Sequence, residues 1–376
     1  MTRSSVDVVV IGGGPAGLLV ASKIRNLEVL VFEEHSQVGL PKHCAGIVGC
    51  ATARIISKEL SPRIIDHKYN QVYFIAPAFK VNLIFDRDVA FHVNRPLLES
   101  ILATRVESLG HRIIYNSRAV PKSLGTVYAR GEVYKYRYLV AADGAYSISR
   151  KTLLSSKFEF LVGLQMRVKT RDLDERTLYI IYTDIVPDFF AWIIPLGGEA
   201  LIGTASRGVL NVDKALSYIQ KLLGVSQQTI REKFGGLIPV HKPLRRPVIY
   251  GSVVFHGDSV PLTKPYTGGG LYYIFKLSPL LARLLESNRL EDYNAIYTRA
   301  FYSKNLLERL GVQFLRKLSM YYLPAEITRR LHSLSLVREE DFDDHYRLVL
   351  KTLSVLPLLG GEIFLSTLKA LQNTLY

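Results

Sequence analysis

The chain begins with an apolar run, Asp7-Val8-Val9-Val10-Ile11, that passes directly into Gly12-Gly13-Gly14-Pro15-Ala16-Gly17 and then Leu18-Leu19-Val20-Ala21. A short, uninterrupted apolar run suits a strand buried on both faces of a parallel sheet, and the segment after the glycines has helical spacing. Each glycine has a separate task in such a turn. Gly12 permits the tight bend, Gly14 lets a pyrophosphate approach the bare backbone, and Gly17 lets the helix pack closely on the strand. Val29-Leu30-Val31-Phe32 reads as the second strand and ends at Glu33. That acid lies about 20 residues beyond the first glycine, where a carboxylate can accept both hydroxyls of a ribose. The order strand, glycine turn, helix, strand, acid marks a dinucleotide-binding unit. A glycine turn beside a merely solvated Glu33-Glu34 pair would leave that order unexplained. These fifty residues leave FAD and NAD both open.

Two later runs also end on an acid. Tyr138-Leu139-Val140-Ala141-Ala142 leads into Asp143-Gly144, and Val253-Val254-Phe255-His256 leads into Gly257-Asp258, where a carboxylate can hold a ribityl hydroxyl. Three strand-end signatures spread over about 250 residues suit a long cofactor better than a nicotinamide. After Thr267-Gly268-Gly269-Gly270 the spacing from 271 to 286 is helical, so these glycines fall at a helix N-terminus whose dipole favours an anion.

Length and charge bound the remaining possibilities. A chain of 376 residues has room for two or three domains, and its 48% hydrophobic content rules out disorder as the main theme. The net charge of +15 attracts phosphates, anionic headgroups or nucleic acid. No basic-aromatic motif accompanies it, so nucleic acid is not an expected partner. Cys44 and Cys50, the two cysteines, exclude a disulfide framework and a four-thiolate zinc site, and no metal ligand is assigned. The N-terminus lacks the pattern of a secretory signal. The longest apolar stretches, 189–196 and 355–359, fall short of the roughly 20 residues that span a bilayer. The expectation is a cytoplasmic protein with peripheral membrane contact.

Taken together, the glycine fingerprint, the Asp143-Gly144 segment and the Gly257-Asp258 segment resemble the FAD-dependent, p-hydroxybenzoate hydroxylase-like superfamily. Within it the chain is most similar to the geranylgeranyl reductases, in particular the archaeal enzymes that saturate digeranylgeranyl glycerophospholipids. Pro41-Lys42-His43-Cys44-Ala45-Gly46 resembles that family's Cys-x-Gly segment near the flavin. Phe190-Ala191-Trp192-Ile193-Ile194-Pro195-Leu196 resembles its aromatic-Trp-Pro substrate motif, although the usual leading Tyr and the Lys after the proline are absent. Lys264-Pro265-Tyr266-Thr267-Gly268-Gly269-Gly270 resembles its Pro-x-Thr-Gly-Gly-Gly turn beside the isoalloxazine.

The resemblance implies FAD, and an α/β fold, α+β overall: a Rossmann-like FAD-binding domain, an inserted antiparallel β-sheet substrate domain and a C-terminal helical segment. The expected boundaries are 1–70, 94–155 and 250–290 for the FAD domain, 71–93 and 156–249 for the substrate domain, and 291–376 for the helices. Strands are expected at 71–76, 79–85 and 89–93, a helix at 95–109, and an amphipathic stretch at 212–234. The cofactor-binding residues implied are Gly12, Gly14, Ala16, Gly17, Glu33, Cys44, Ala45, Gly46, Arg95, Val120, Asp143, Gly144, Asp258, Gly268, Gly269 and Gly270. Phe190, Trp192 and Pro195 are the expected substrate contacts, and Cys44, Trp192 and Tyr266 the expected catalytic residues.

An isolated prenyl double bond has no carbonyl to polarise it. Its saturation needs a hydride at one carbon, a proton at the other, and an apolar tunnel that aligns both. The implied partners are a geranylgeranyl glycerophospholipid, an anionic membrane surface, and an external electron donor such as ferredoxin, a quinol or NADPH. Arg299, Arg309, Arg316, Arg329 and Arg330 are read either as solvated bases of a helical cap or as headgroup contacts. An aromatic hydroxylase shares the Asp-Gly and Gly-Asp segments and is the enzymatic alternative. A prenyl-lipid carrier of the Rab escort kind is the non-catalytic one. A dithiol reductase is disfavoured because five residues separate the cysteines and no second glycine fingerprint occurs.

Overall fold

The structure is a computed structural model that describes residues 2–77, 79–170, 173–224, 229–317 and 322–354. Part of the expected C-terminal helical region, 318–321 and 355–376, therefore lies outside the described residues. So does the apolar stretch 355–359.

The apolar run of the N-terminus becomes the strand Thr2–Ile11, with Val8, Val9 and Val10 fully buried at the centre of an eight-stranded sheet. It pairs in parallel with Val29–Phe32 on one side and Glu132–Ala141 on the other. Arg112–Ile114 and Val253–Phe255 extend the parallel core outward. The helices Pro15–Ala21, Arg95–Ser108 and Leu271–Glu286 pack together in the same core as these strands, and the strands are buried on both sides of the chain, which is why they read as continuous rather than alternating apolar runs. Arg95–Ser108 starts where expected because the Asn94 side chain accepts the Leu97 N–H and Pro96 occupies the first turn.

A second, seven-stranded sheet runs in the order Ile230–Pro239, Phe160–Lys169, Glu199–Ser206, Ala191–Pro195, Thr177–Ile181, Gln71–Ala76 and Phe79–Ile84. It is antiparallel except at one seam, where Thr177–Ile181 pairs in parallel with Gln71–Ala76. The seam joins the two separate stretches of chain that build the sheet. Its inner face carries an aromatic core of Phe74, Tyr182, Phe189, Phe190 and Trp192. Its outer face is covered by the helix Val209–Leu222 through Val212, Leu216 and Ile219. With both faces covered, Ala191–Pro195 is buried at every position.

Two expectations are corrected here. The stretch 212–234 is not one amphipathic element: the helix ends at Leu222, and Ile230–Pro239 is an edge strand. Residues 90–93 do not join the substrate sheet, because Ala90–Val93 pairs with Ile47–Gly49 and Ile65–Tyr69 in a small third sheet.

The C-terminal part packs inward. Arg309 is buried, donating to Asn305 Oδ1 at 2.7 Å and to the Val240 carbonyl at 2.6 Å. Arg329 and Arg330 both bond the buried carboxylate of Glu326. Arg309 is therefore not a solvated base, while Arg329 and Arg330 stay partly exposed but are committed to Glu326. The segment around Asp343 reaches furthest. Its carboxylate accepts from Gly49 N–H (3.2 Å), Ala51 N–H (2.7 Å), Thr52 N–H (3.1 Å) and Thr52 Oγ1 (2.7 Å). It thereby caps the helix Cys50–Glu59, whose own N-cap, Gly49, has no side chain for the task.

Candidate active site

At the carboxyl ends of the parallel strands lies a cleft of about 590 Å³, lined by the glycine turn, Glu33, the strap 39–44, Arg95, Asp143, Asp258 and the edge 234–237 of the substrate sheet. Its shape follows from steric demands on single residues. Gly12 has φ +104°, and a Cβ there would lie 2.3 Å from the Ala142 carbonyl oxygen. A Cβ on Gly17 would lie 2.1 Å from the Gly12 oxygen. Gly14 differs, since a Cβ there meets nothing within 4 Å. The fold does not need that glycine, but a ligand lying against the turn does.

Glu33 is buried and fixed. It accepts the Gly13 N–H at 2.7 Å and the His35 N–H at 2.9 Å, and His35 Nδ1 lies 2.6 Å from Oε1. Arg95 is anchored to Glu99 by bonds of 2.9 and 2.6 Å, and its guanidinium also reaches the Cys44 thiol. The Asp143 carboxylate accepts from Ser147 Oγ (2.6 Å) and Ser149 N–H (2.8 Å), so it organises its own turn while the backbone beside it lines the cleft. Lys42 pairs with Glu232 at 2.8 Å, and His43 Nδ1 lies 2.9 Å from the Gly235 carbonyl. These contacts tie the strap to the substrate sheet. The paired Gly235-Gly236 was the available sequence signal: a Cβ on Gly236 would lie 3.0 Å from His43 Cβ.

Asp258 makes no hydrogen bond among the described residues, although it lines the cleft. Burial pushes its carboxyl up to about 6, with Arg95 pulling the other way. A carboxyl that holds its proton more tightly folded than unfolded makes the fold less stable as pH rises from about 4 through 6. Asp258→Asn is thus expected to raise the melting temperature of flavin-free protein above pH 7, with the gain shrinking toward pH 4. Equal gains at both ends of that range would refute the cause given.

Not every expected residue faces this cleft. Ala16 packs against Gly257, where a Cβ would lie 2.6 Å from it. The Gly46 carbonyl accepts the Val93 N–H, Ala45 packs beside the aromatic core, and Val120 follows the lining strip 117–119 by one position. Gly268, Gly269 and Gly270 do not line the cleft but follow Asp258 beside it, and a Cβ on Gly270 would lie 3.6 Å from Asp258 Oδ1. A Cβ on Gly268 would lie 3.0 Å from Ile238 Cγ2 and 3.6 Å from Phe189 Cζ. The glycine turn therefore packs directly against the aromatic core.

In that core Phe189 and Phe190 stack at 4.3 Å, and the Tyr182 and Tyr266 hydroxyls bond each other. Phe190 and Tyr266 line a small apolar cavity with Val312, Leu315 and Pro324. Trp192 lines neither cavity. It stands edge-on behind Phe189 and Phe190 and fills the space over Gly203, where a Cβ would lie 2.4 Å from its ring. Pro195 is also set back, with its carbonyl accepting from Tyr69 Oη at 2.7 Å.

The family model for lycopene cyclase protein matches residues 7–334. The chain belongs to the lycopene cyclase protein family. A digeranylgeranylglycerophospholipid reductase of Methanococcus aeolicus is 25% identical over 349 residues, covering 82% of this chain and 85% of its own. Among solved structures, a geranylgeranyl bacteriochlorophyll reductase-like protein from Thermoplasma acidophilum superposes with TM-score 0.73 at 20% identity, over 83% of this chain and 88% of its own. A probable FAD-dependent monooxygenase from Pseudomonas aeruginosa, PqsL, gives TM-score 0.65 at 16% identity, over 84% and 97%. The expected likeness to geranylgeranyl reductases and the α/β fold with its Rossmann-like domain are borne out, and several of the structures that share the fold are FAD-dependent enzymes by name. The residues fit the cofactor: a bare backbone at Gly14, a fixed carboxylate at Glu33, and at Asp258 a desolvated carboxyl with no hydrogen bond among the described residues.

Proposed function

We propose that the protein saturates carbon-carbon double bonds of geranylgeranyl chains carried by membrane-lipid precursors. The observation that carries this reading is the direct junction between the Gly268 turn and the aromatic wall of Phe189 and Phe190. The wall is mostly apolar, and an isoprenoid needs apolar contact and exclusion of water. Glu33 would hold the adenosine ribose, the Gly12–Gly14 backbone with Arg95 the pyrophosphate, and Asp258 the ribityl hydroxyls. Bound and reduced, FAD supplies the hydride. The chain's own part is to align the alkene and deliver a proton to the second carbon. Burial raises the Tyr182 phenol, so it stays protonated near neutrality, and its bond to Tyr266 sets a hydroxyl pair in the wall. Cys44, exposed in the strap, is the second candidate proton carrier.

Electrons would arrive from an external donor, a ferredoxin, a quinol or NADPH. The net charge of +15 favours docking on an anionic membrane surface of the cytoplasm. Among the described residues no helix is long and apolar enough to cross a membrane.

The test is anaerobic: reduce the flavoprotein with dithionite, add geranylgeranyl phospholipid, and follow flavin reoxidation together with lipid mass. Mass rising in hydrogen pairs as the flavin reoxidises supports the reductase. An isomer of unchanged mass would instead indicate cyclisation. Flavin that stays reduced until air is admitted would favour a hydroxylase, and protein that binds no flavin would favour a lipid carrier.

A further inference from the structure

Beside the cleft, where two short strands meet, three metal-ligating side chains converge. Asp66 and His67 are neighbours on the strand Ile65–Tyr69, and His92 lies across from them on Ala90–Val93. Neighbouring residues of a regular strand point to opposite faces, so Asp66 and His67 should not share a partner. The register slips at this point. Ile65 opposes Val93 and His67 opposes His92, which leaves Asp66 as the extra residue of a β-bulge. Bulges of this kind re-aim side chains. As a result Asp66 Oδ1 lies 2.5 Å from His92 Nδ1 and 3.4 Å from His67 Nδ1, and one donor atom from each residue falls within 4.8 Å of the others. Asp66 and His92 both line the cleft.

Two imidazoles with one carboxylate suit Zn²⁺, Fe²⁺ or Co²⁺, whereas Mg²⁺ and Ca²⁺ favour oxygen alone. Bonds of about 2.0–2.2 Å need donor atoms roughly 3–3.5 Å apart, which small side-chain rotations achieve from these positions.

We propose that Asp66, His67 and His92 form a binding site for a divalent transition-metal ion at the mouth of the cofactor cleft, with an open coordination position. A three-ligand site leaves that position for water or for an anionic oxygen of a bound ligand.

The test uses tag-free, full-length protein stripped with a chelator. It is titrated with Zn²⁺ against a chromophoric competitor, and with Co²⁺ followed by its visible absorption. The proposal requires one tight equivalent, at least tenfold weaker binding in Asp66→Asn and in His67→Ala, and unchanged binding in the Cys44→Ser, Cys50→Ser double variant. Circular dichroism and retained flavin establish that each variant is folded, and His92→Gln serves if His67→Ala is not. Binding unaffected by the Asp66 and His67 substitutions, binding lost with the cysteines, or no tight equivalent at all would each overturn it. None of these readouts depends on turnover of a prenyl lipid.

Discussion

Gly14→Ala is expected to fold as the parent does and to purify without flavin. The substitution fits the backbone, since Gly14 has φ −78° and ψ −179°, and its new methyl group meets no protein atom within 4 Å. What it occupies is the surface of the turn on which the pyrophosphate would lie. At least hundredfold weaker FAD binding is expected, about 2.8 kcal/mol, with the melting temperature of the flavin-free protein unchanged. Gly12→Ala makes the informative contrast. There the methyl group collides with the Ala142 carbonyl at a φ that side chains rarely adopt, so stability and flavin should be lost together. If Gly14→Ala kept its flavin, the cofactor would not approach the turn as described.

Removing the Asp343 carboxylate is expected to destabilise the whole protein. Asp343 is 2% exposed and satisfies three N–H groups and a hydroxyl at the start of one helix. Hydrogen bonds to a charged group are worth about 1.5–3 kcal/mol each, and orphaning buried partners adds to the cost, so Asp343→Ala should lose about 3 kcal/mol or more. Because the capped helix follows the strap that carries Cys44, flavin retention should fall as well. Urea denaturation would measure the first effect and visible absorption the second. A loss below about 1 kcal/mol would mean that water replaces the cap.

The nucleotide half of the fold was legible because its signals are short-range and forced. Val8 to Val10, Gly17 and Glu33 each answer to a neighbour within one βαβ unit. The aromatic core was legible as composition, yet the position of Trp192 behind Phe190 depends on Gly203 in the facing strand, which no local pattern reports. The switch from helix to strand after Leu222 was hidden because both segments are amphipathic. The roles of Arg309, Arg329 and Arg330 were hidden because an arginine in a helix reads the same whether it faces water or a buried carboxylate. Asp343 carried no signal at all. Its partners lie about 290 positions away, and only the folded chain brings a loop acid to a glycine-capped helix.

The distance between Asp343 and the helix it caps also sets a timetable for synthesis. The ribosome releases the strand Thr2–Ile11 with one neighbour close behind, but Glu132–Ala141 and Val253–Phe255 come much later, and the cap later still. At about 5–20 residues per second, the start of Cys50–Glu59 waits on the order of tens of seconds for its acid. For most of that interval the nascent chain presents a glycine turn without Asp258 and a strap without Glu232. On the role proposed for Asp258, cofactor loading would therefore come late in synthesis.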